Sequence, residues 1–304
     1  MKISPGRAAL LAVCVFSSAA RAEVDGPRLG LNASAGYRYD SNVDIATTDT
    51  NTGETDTALL LNLGIDGAIP LGDRLSLGLG YGYMSTTYAT FSSFDLAIHH
   101  ARAALRYEVA GFDSALSFDR FAARVDGGQF LDIRQASPSL ARLIGQKLYL
   151  RGSFTRAEKD FAGNPGRDAF NDAIRGDAYI LIDGMERYVG LAYRIASEDA
   201  KASEFDYEGS EAKITYAHRL QARHMKLDWK TYLQVENRNY AGASEPDAAP
   251  RRDERLRAGM SAAIPVSERI ALKGELEYGA NHSNLAAADF DEVVLGMSVA
   301  VDLQ

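Results

Sequence analysis

The sequence predicts an all-β chain, a transmembrane antiparallel β-barrel of about 14 strands with short turns at one end and longer loops at the other. Three observations predict it. Apolar residues recur at every second position in run after run, the period of a strand with two unlike faces. Short and long connections alternate, as in barrels of the Gram-negative outer membrane, where periplasmic turns are short and outer loops longer. Tyrosines (Tyr37, Tyr39, Tyr81, Tyr83, Tyr88, Tyr188, Tyr232, Tyr240 and Tyr278) gather near the ends of the runs, where a spanning sheet carries its interfacial girdle.

Taken in order, the first run is 28–40, with Leu29, Leu31, Ala33, Ala35, Tyr37 and Tyr39 on one face. Its other face carries Gly30, Asn32, Ser34, Gly36, Arg38 and Asp40. Leu59, Leu61, Leu63, Ile65 and Ile69 repeat the pattern, residues 70–73 turn the chain, and Leu75, Leu77, Leu79, Tyr81 and Tyr83 return it as a hairpin. Gly78, Gly80 and Gly82 sit inside this return strand with no helix following, so they read as small lumen positions and not as a nucleotide loop. Weaker runs fall at about 94–108, 114–126, 129–141, 146–158, 172–183 and 206–220. Clear alternation resumes at 189–195, 225–235, 256–264, 270–278 and 293–303. Short connections are expected at 70–73, 109–112, 183–186, 220–223 and 265–268, long ones at 41–55, 159–171, 197–204, 241–251 and 279–289. The polar face holds full charges, among them Arg74, Lys226, Asp228, Lys230, Glu236, Arg238, Lys273, Glu275 and Glu277, as a water-filled lumen would. The last strand, reaching Leu303, must close onto the first, because a spanning sheet leaves no backbone polar group unpaired.

The N-terminus reads as a secretory signal. Lys2 and Arg7 give a basic start before an apolar stretch at 8–16, and Ala20-Arg21-Ala22 supplies a small-x-small cleavage pattern. Residues 1–22 are therefore expected to be removed, leaving 23–304 as one barrel domain. The stretch falls well short of the roughly 20 residues a spanning helix needs, and Val13 before Cys14 argues against a lipoprotein signal. The only cysteine leaves with the signal, so neither disulfide nor thiol chemistry is expected. The formal net charge of −8 becomes more negative once Lys2, Arg7 and Arg21 are gone, which argues against nucleic acid as a partner.

YRYDSNV (37–43), LYLRGSFTRAEKDF (148–161), GRDAFND (166–172) and GLAYRIASEDAKASEFDYEGSEAKI (190–214) resemble the C-terminal barrel of the surface lipoprotein assembly modifier family and related outer-membrane proteins. The resemblance spans about 28–304 and lies in strand-end residues. It implies a 14-stranded barrel and assistance in moving lipoproteins to the cell surface. The chain departs from that family in showing no tetratricopeptide segment before the first strand and in ending Val301-Asp302-Leu303-Gln304, without a terminal aromatic residue.

Several residue groups are candidates for chemistry. Asp40, Asn42 and Asp44 alternate as at the start of a calcium loop, but Ile45 stands where the loop needs Gly and Asn51 where it needs a bidentate Glu. The stretch reads as a strand end where Asp and Asn turn the chain by bonding nearby backbone, and neither metal nor cofactor is expected. The histidines His99, His100, His218, His224 and His282 lie in no hydrolase motif, so an outer-membrane hydrolase is the least favoured reading and no catalytic residue is assigned. The mid-chain charges Arg120, Arg124, Arg151, Arg156, Glu158 and Asp177 are the candidate pore lining, a strip that would bias ion passage or stiffen the wall. The expected function is a pore or conduit across the outer membrane, and the alternative is a surface lipoprotein assembly factor. The expected partners are outer-membrane lipids, the barrel-assembly machinery, and small polar solutes or an exported lipoprotein.

Overall fold

The computed structural model describes residues 27–45, 50–222, 225–243 and 249–303, and the expected signal peptide lies outside them. Fourteen strands close into one barrel with every neighbour antiparallel. They are β1 (Arg28–Asp40), β2 (Asp56–Pro70), β3 (Leu75–Tyr88), β4 (Leu96–Val109) and β5 (Phe112–Val125). Next come β6 (Gly128–Ile144), β7 (Leu148–Phe161), β8 (Ala169–Leu181), β9 (Arg187–Ala200) and β10 (Tyr207–Ala222). The set ends with β11 (Met225–Tyr240), β12 (Arg252–Pro265), β13 (Ile270–Ser283) and β14 (Phe290–Leu303). Each strand pairs with its sequence neighbour, and β1 closes onto β14 from Leu31↔Leu303 to Asp40↔Val294. At this seam a Cβ on Gly36 would run into the carbonyl of Met297, so only glycine lets the two backbones approach.

Alternation sorts the side chains as the sequence predicts for β1, where Tyr37 is 70% exposed and Asp40 0%. In water such an outer face would be an aggregation surface; facing hydrocarbon, it is the driving force for insertion. Leu59, Leu61, Leu63 and Ile65 continue this outer belt, as do Phe118, Phe154, Ile174, Ile195, Leu276 and Met297. Among the described residues no helix is long and apolar enough to cross a membrane; the strands make the crossing.

Several sequence expectations are corrected here. Of the tyrosines assigned to the girdle, Tyr88, Tyr188, Tyr232 and Tyr240 lie on the inner face, in register with Ala58, Ala217, Gly259 and Tyr207. The strands also run further into the long-loop end than expected, with Lys159 still in β7, Ser197 in β9 and Gly279 in β13. Polar residues end the apolar pattern there without ending the hydrogen-bond ladder. The long-loop end is also not uniformly elaborated. Asp126 (φ 50°) and Gly127 (φ 70°) join β5 to β6 as tightly as Ala110 (φ 51°) and Gly111 (φ 76°) join β4 to β5 at the other end. Successive left-handed residues make the turn whose twist matches an antiparallel pair. Finally, the inner face is not polar throughout. Ile98, Ala123 and Leu131 form a buried cluster with Met84, Leu96, Phe130, Ile133 and Phe161 toward the long-loop end.

Candidate functional site

The lumen is the site, and its two halves differ. At the long-loop mouth Asp40 is fully buried, accepting from Arg38 Nη2 at 2.7 Å and from the Tyr88 hydroxyl at 3.2 Å. Its other oxygen accepts from the Asn42 amide at 3.3 Å, the turn expected of this stretch. Asn42 Oδ1 accepts from the Gly53 amide at 2.8 Å, and Val43 is buried against Ala58 and Tyr88 with Phe91 and Phe94 packed around them. The first loop is tied to the last by Asn51 Nδ2 donating to the Ala287 carbonyl at 3.1 Å, and to the start of β14 by Asn42 Nδ2 donating to the Asp291 carbonyl at 3.5 Å. With Val43 packed on the inner-face residues Ala58 and Tyr88, residues 41–45 fold inward at the mouth. Inside it, Asp44 Oδ2 is buried with no hydrogen-bond partner. Burial, reinforced by the carboxylates of Glu292 and Asp40, pushes the Asp44 carboxyl up to about 8 against the opposing pull of Arg257 and Arg38.

Ion pairs fill the rest of this half. Arg257 reaches Glu277 at 3.2 Å and Glu292 at 3.6 Å, Arg251 and Arg255 converge on Asp253 at 2.6 and 3.3 Å, and Arg238 meets Glu236 at 2.7 Å. Buried charges require such partners. Mid-wall, Arg175 holds Asp177 at 2.9 Å and Glu211 at 3.6 Å. Nearer the short-turn end the pairing thins: Arg219 still meets Asp228 at 2.6 Å, but among the described residues Arg106 and Arg151 have neither ion pair nor hydrogen bond, and both are exposed on the inner face.

The register decides the fate of the six charges expected to line the pore. Arg151 and Asp177 face one another across β7 and β8 on the inner face. Arg120, Arg124, Arg156 and Glu158 turn outward, which corrects the expectation for these four. Arg120 follows Leu116 and Phe118 along the outer face of β5, and Arg156 and Glu158 follow Phe154 on β7. They lie beyond the apolar belt toward the long loops, where the outer face meets polar surroundings, and three of them pair there. Arg120 meets Asp132 at 2.8 Å, Arg156 meets Asp172 at 3.2 Å, and Arg134 bridges Glu158 at 3.8 Å and Asp160 at 3.5 Å. Grouping arginines by sequence proximity missed this; counting parity along each strand would have separated them and found Arg106.

The histidines scatter. His99 points outward between Tyr81, whose hydroxyl is 2.7 Å from Nδ1, and Tyr83. His100 is buried on the inner face, with Nε2 2.8 Å from Asp119 and its ring stacked 4.1 Å from that of Phe121. His218 lies beside Tyr216 and His282 beside Asp289; His224 is outside the described residues. Among those residues no three His, Cys, Asp or Glu are grouped to hold a metal.

No protein-family profile and no curated protein matches the sequence. Solved structures match the fold. The anion-selective porin from Comamonas acidovorans aligns at a TM-score of 0.53 and 10% identity, over 91% of this chain and 99% of that one. The outer membrane protein OmpT of Vibrio cholerae, in its trimer form, aligns at 0.54 and 8%, over 92% and 100%. A bacterial polysaccharide outer membrane secretin aligns at 0.50 and 11%, over 91% and 98%. Identities this low speak for the fold alone. Barrel closure, apolar belt and these likenesses agree that the chain is an outer-membrane β-barrel.

Proposed function

We propose that the barrel is a passive pore for small polar solutes across the outer membrane, inserted there by the barrel-assembly machinery. The observation that carries this reading is the inner wall. Among the described residues its short-turn half presents charged and tyrosine side chains to the lumen, Arg106, Arg151, Tyr149 and Tyr179 among them, and such a wall holds water. No catalytic step belongs to the reading. His100, the histidine nearest to a carboxylate inside the barrel, is held between Asp119 and the Phe121 ring. Purified protein in planar bilayers should give discrete, steady ion steps.

A second reading, assembly or translocation of a surface lipoprotein, is supported by the resemblance at 37–43, 148–161 and 190–214. Those segments map to the β1 rim, to β7, and to β9 with its outer loop and β10. Silent bilayers, together with loss of one surface lipoprotein in a deletion strain, would favour this reading and overturn the pore.

A further inference from the structure

The unpartnered arginines do not stand alone on the wall. Tyr149 on β7, Tyr179 on β8 and Tyr188 on β9 form a row on the same inner face, with ring centroids 6.0 and 5.8 Å apart. A Cβ on Gly190 would come within 3.1 Å of the Cδ1–Cε1 edge of the middle ring, so glycine leaves Tyr179 room against the backbone of β9. The charges bearing on the Tyr149 hydroxyl are Arg151, Asp113, Asp177 and Arg106, and Arg151 also bears on Tyr179. Of the two acids, Asp177 is committed to Arg175, and neither pairs with Arg106 or Arg151.

Most other arginines of the lumen, among them Arg175, Arg219, Arg238, Arg251, Arg255 and Arg257, meet a carboxylate at contact distance, which serves the wall. Two exposed guanidinium groups left open beside a row of phenol rings, tilted to one another by 58° and 63°, are available to something not part of the wall. A guanidinium offers a planar fork to a carboxylate, and a tyrosine face offers an apolar platform with a hydroxyl at its edge. Resting on the pore reading, we infer that the short-turn half of the lumen binds a carboxylate carried on a ring, a sugar acid, with Arg106 and Arg151 taking the carboxylate and Tyr149, Tyr179 and Tyr188 taking the ring. The phenol hydroxyls favour a hydroxylated ring over a bare aromatic one, because they can exchange hydrogen bonds with it.

The test uses the full barrel in planar bilayers and, in parallel, calorimetric titration in detergent micelles, with trigalacturonate, maltotriose and benzoate as probes. Trigalacturonate should block current, and bind, at a concentration at least about tenfold below the other two, since charge-assisted contacts are roughly twice as strong as neutral ones. Arg106→Gln with Arg151→Gln should erase that advantage and move the reversal potential in a salt gradient toward cations, while Tyr179→Leu should weaken trigalacturonate and leave the reversal potential unchanged. Heat-modifiable gel mobility checks that each variant has folded. Equal block by maltotriose, or no change in the double arginine variant, overturns the arginine site; equal block by benzoate overturns the sugar acid. Conductance without discrimination sinks this inference and leaves the pore, whereas selective binding in micelles with silent bilayers sinks the pore and keeps the site.

Discussion

At the scale of single residues, the opening stretch YDSNVD carries a titration. Asp44 sits over the mouth among Asp40, Glu292, Arg38 and Arg257, and its carboxyl is raised to about 8. A carboxyl raised on folding binds a proton that the unfolded chain releases near 3.9. Its contribution is fully present below that value and is lost as pH climbs through about 8. The packing of the first loop should therefore loosen in mild alkali. Protease cleavage within 41–55 should rise between about pH 7 and pH 9, and Asp44→Asn should flatten the curve. Cleavage independent of pH in the unmutated protein would dispose of the idea. The sequence offered Asp44 as a candidate ligand; what it could not show is the carboxylate of Glu292, contributed by a strand at the far end of the chain and brought beside it only by barrel closure.

At the scale of elements, the outer loops share a device. Single turns of 3-10 helix at Ser92–Phe94, Pro165–Arg167 and Ser203–Phe205 are each followed at once by an aspartate. Asp95, Asp168 and Asp206 turn back to accept the amide of the preceding strand's end, from Tyr88 at 2.7 Å, Phe161 at 2.7 Å and Ala200 at 2.6 Å. Those amides lie where the ladder runs out, and the carboxylates take over its role. Burial raises the Asp168 carboxyl, but the Phe161 amide and the Lys201 ammonium at 2.9 Å outweigh it and hold the group below the ordinary range. The stabilisation is present above that range and is lost as pH falls through the lowered value. Asp168→Ala should cost about 1 kcal/mol locally and speed hydrogen exchange at the Phe161 amide; unchanged protection would count against the capping role. The turns escape a pattern reading because FSSFD, NPGRD and ASEFD share only their last residue. Strands were legible where one face is uniformly apolar, as in β1, β2 and β14. They blurred between 94 and 183 because β5, β6 and β7 carry paired charges on their outer faces as well, at Arg120, Arg134 and Glu158.

At the scale of the whole molecule, closure separates the lumen into a densely paired end and one where pairs such as Arg219–Asp228 stand beside open arginines. The long-loop mouth is narrowed from one side by the cluster around Ile98 and Leu131 and covered by the first loop, while the short-turn half keeps open arginines. In the proposed pore, passage would be limited at the covered mouth and selected at the other. The two functions should therefore respond to different substitutions. The first loop is tethered to the adjacent rim of the seam by Asn42 to the Asp291 carbonyl of β14 and by Asn51 to that of Ala287. Each hydrogen bond is worth about 1 kcal/mol, so Asn42→Ala with Asn51→Ala should shift the ratio of untethered to tethered loop by up to about 30-fold. Single-channel recordings should then show larger or longer-lived open steps, while the concentration of trigalacturonate that halves the current stays where it was. Unchanged steps would mean that the loop does not limit flow. A changed trigalacturonate response would mean that selection and limitation occur at one place, contrary to the division of the lumen into two halves.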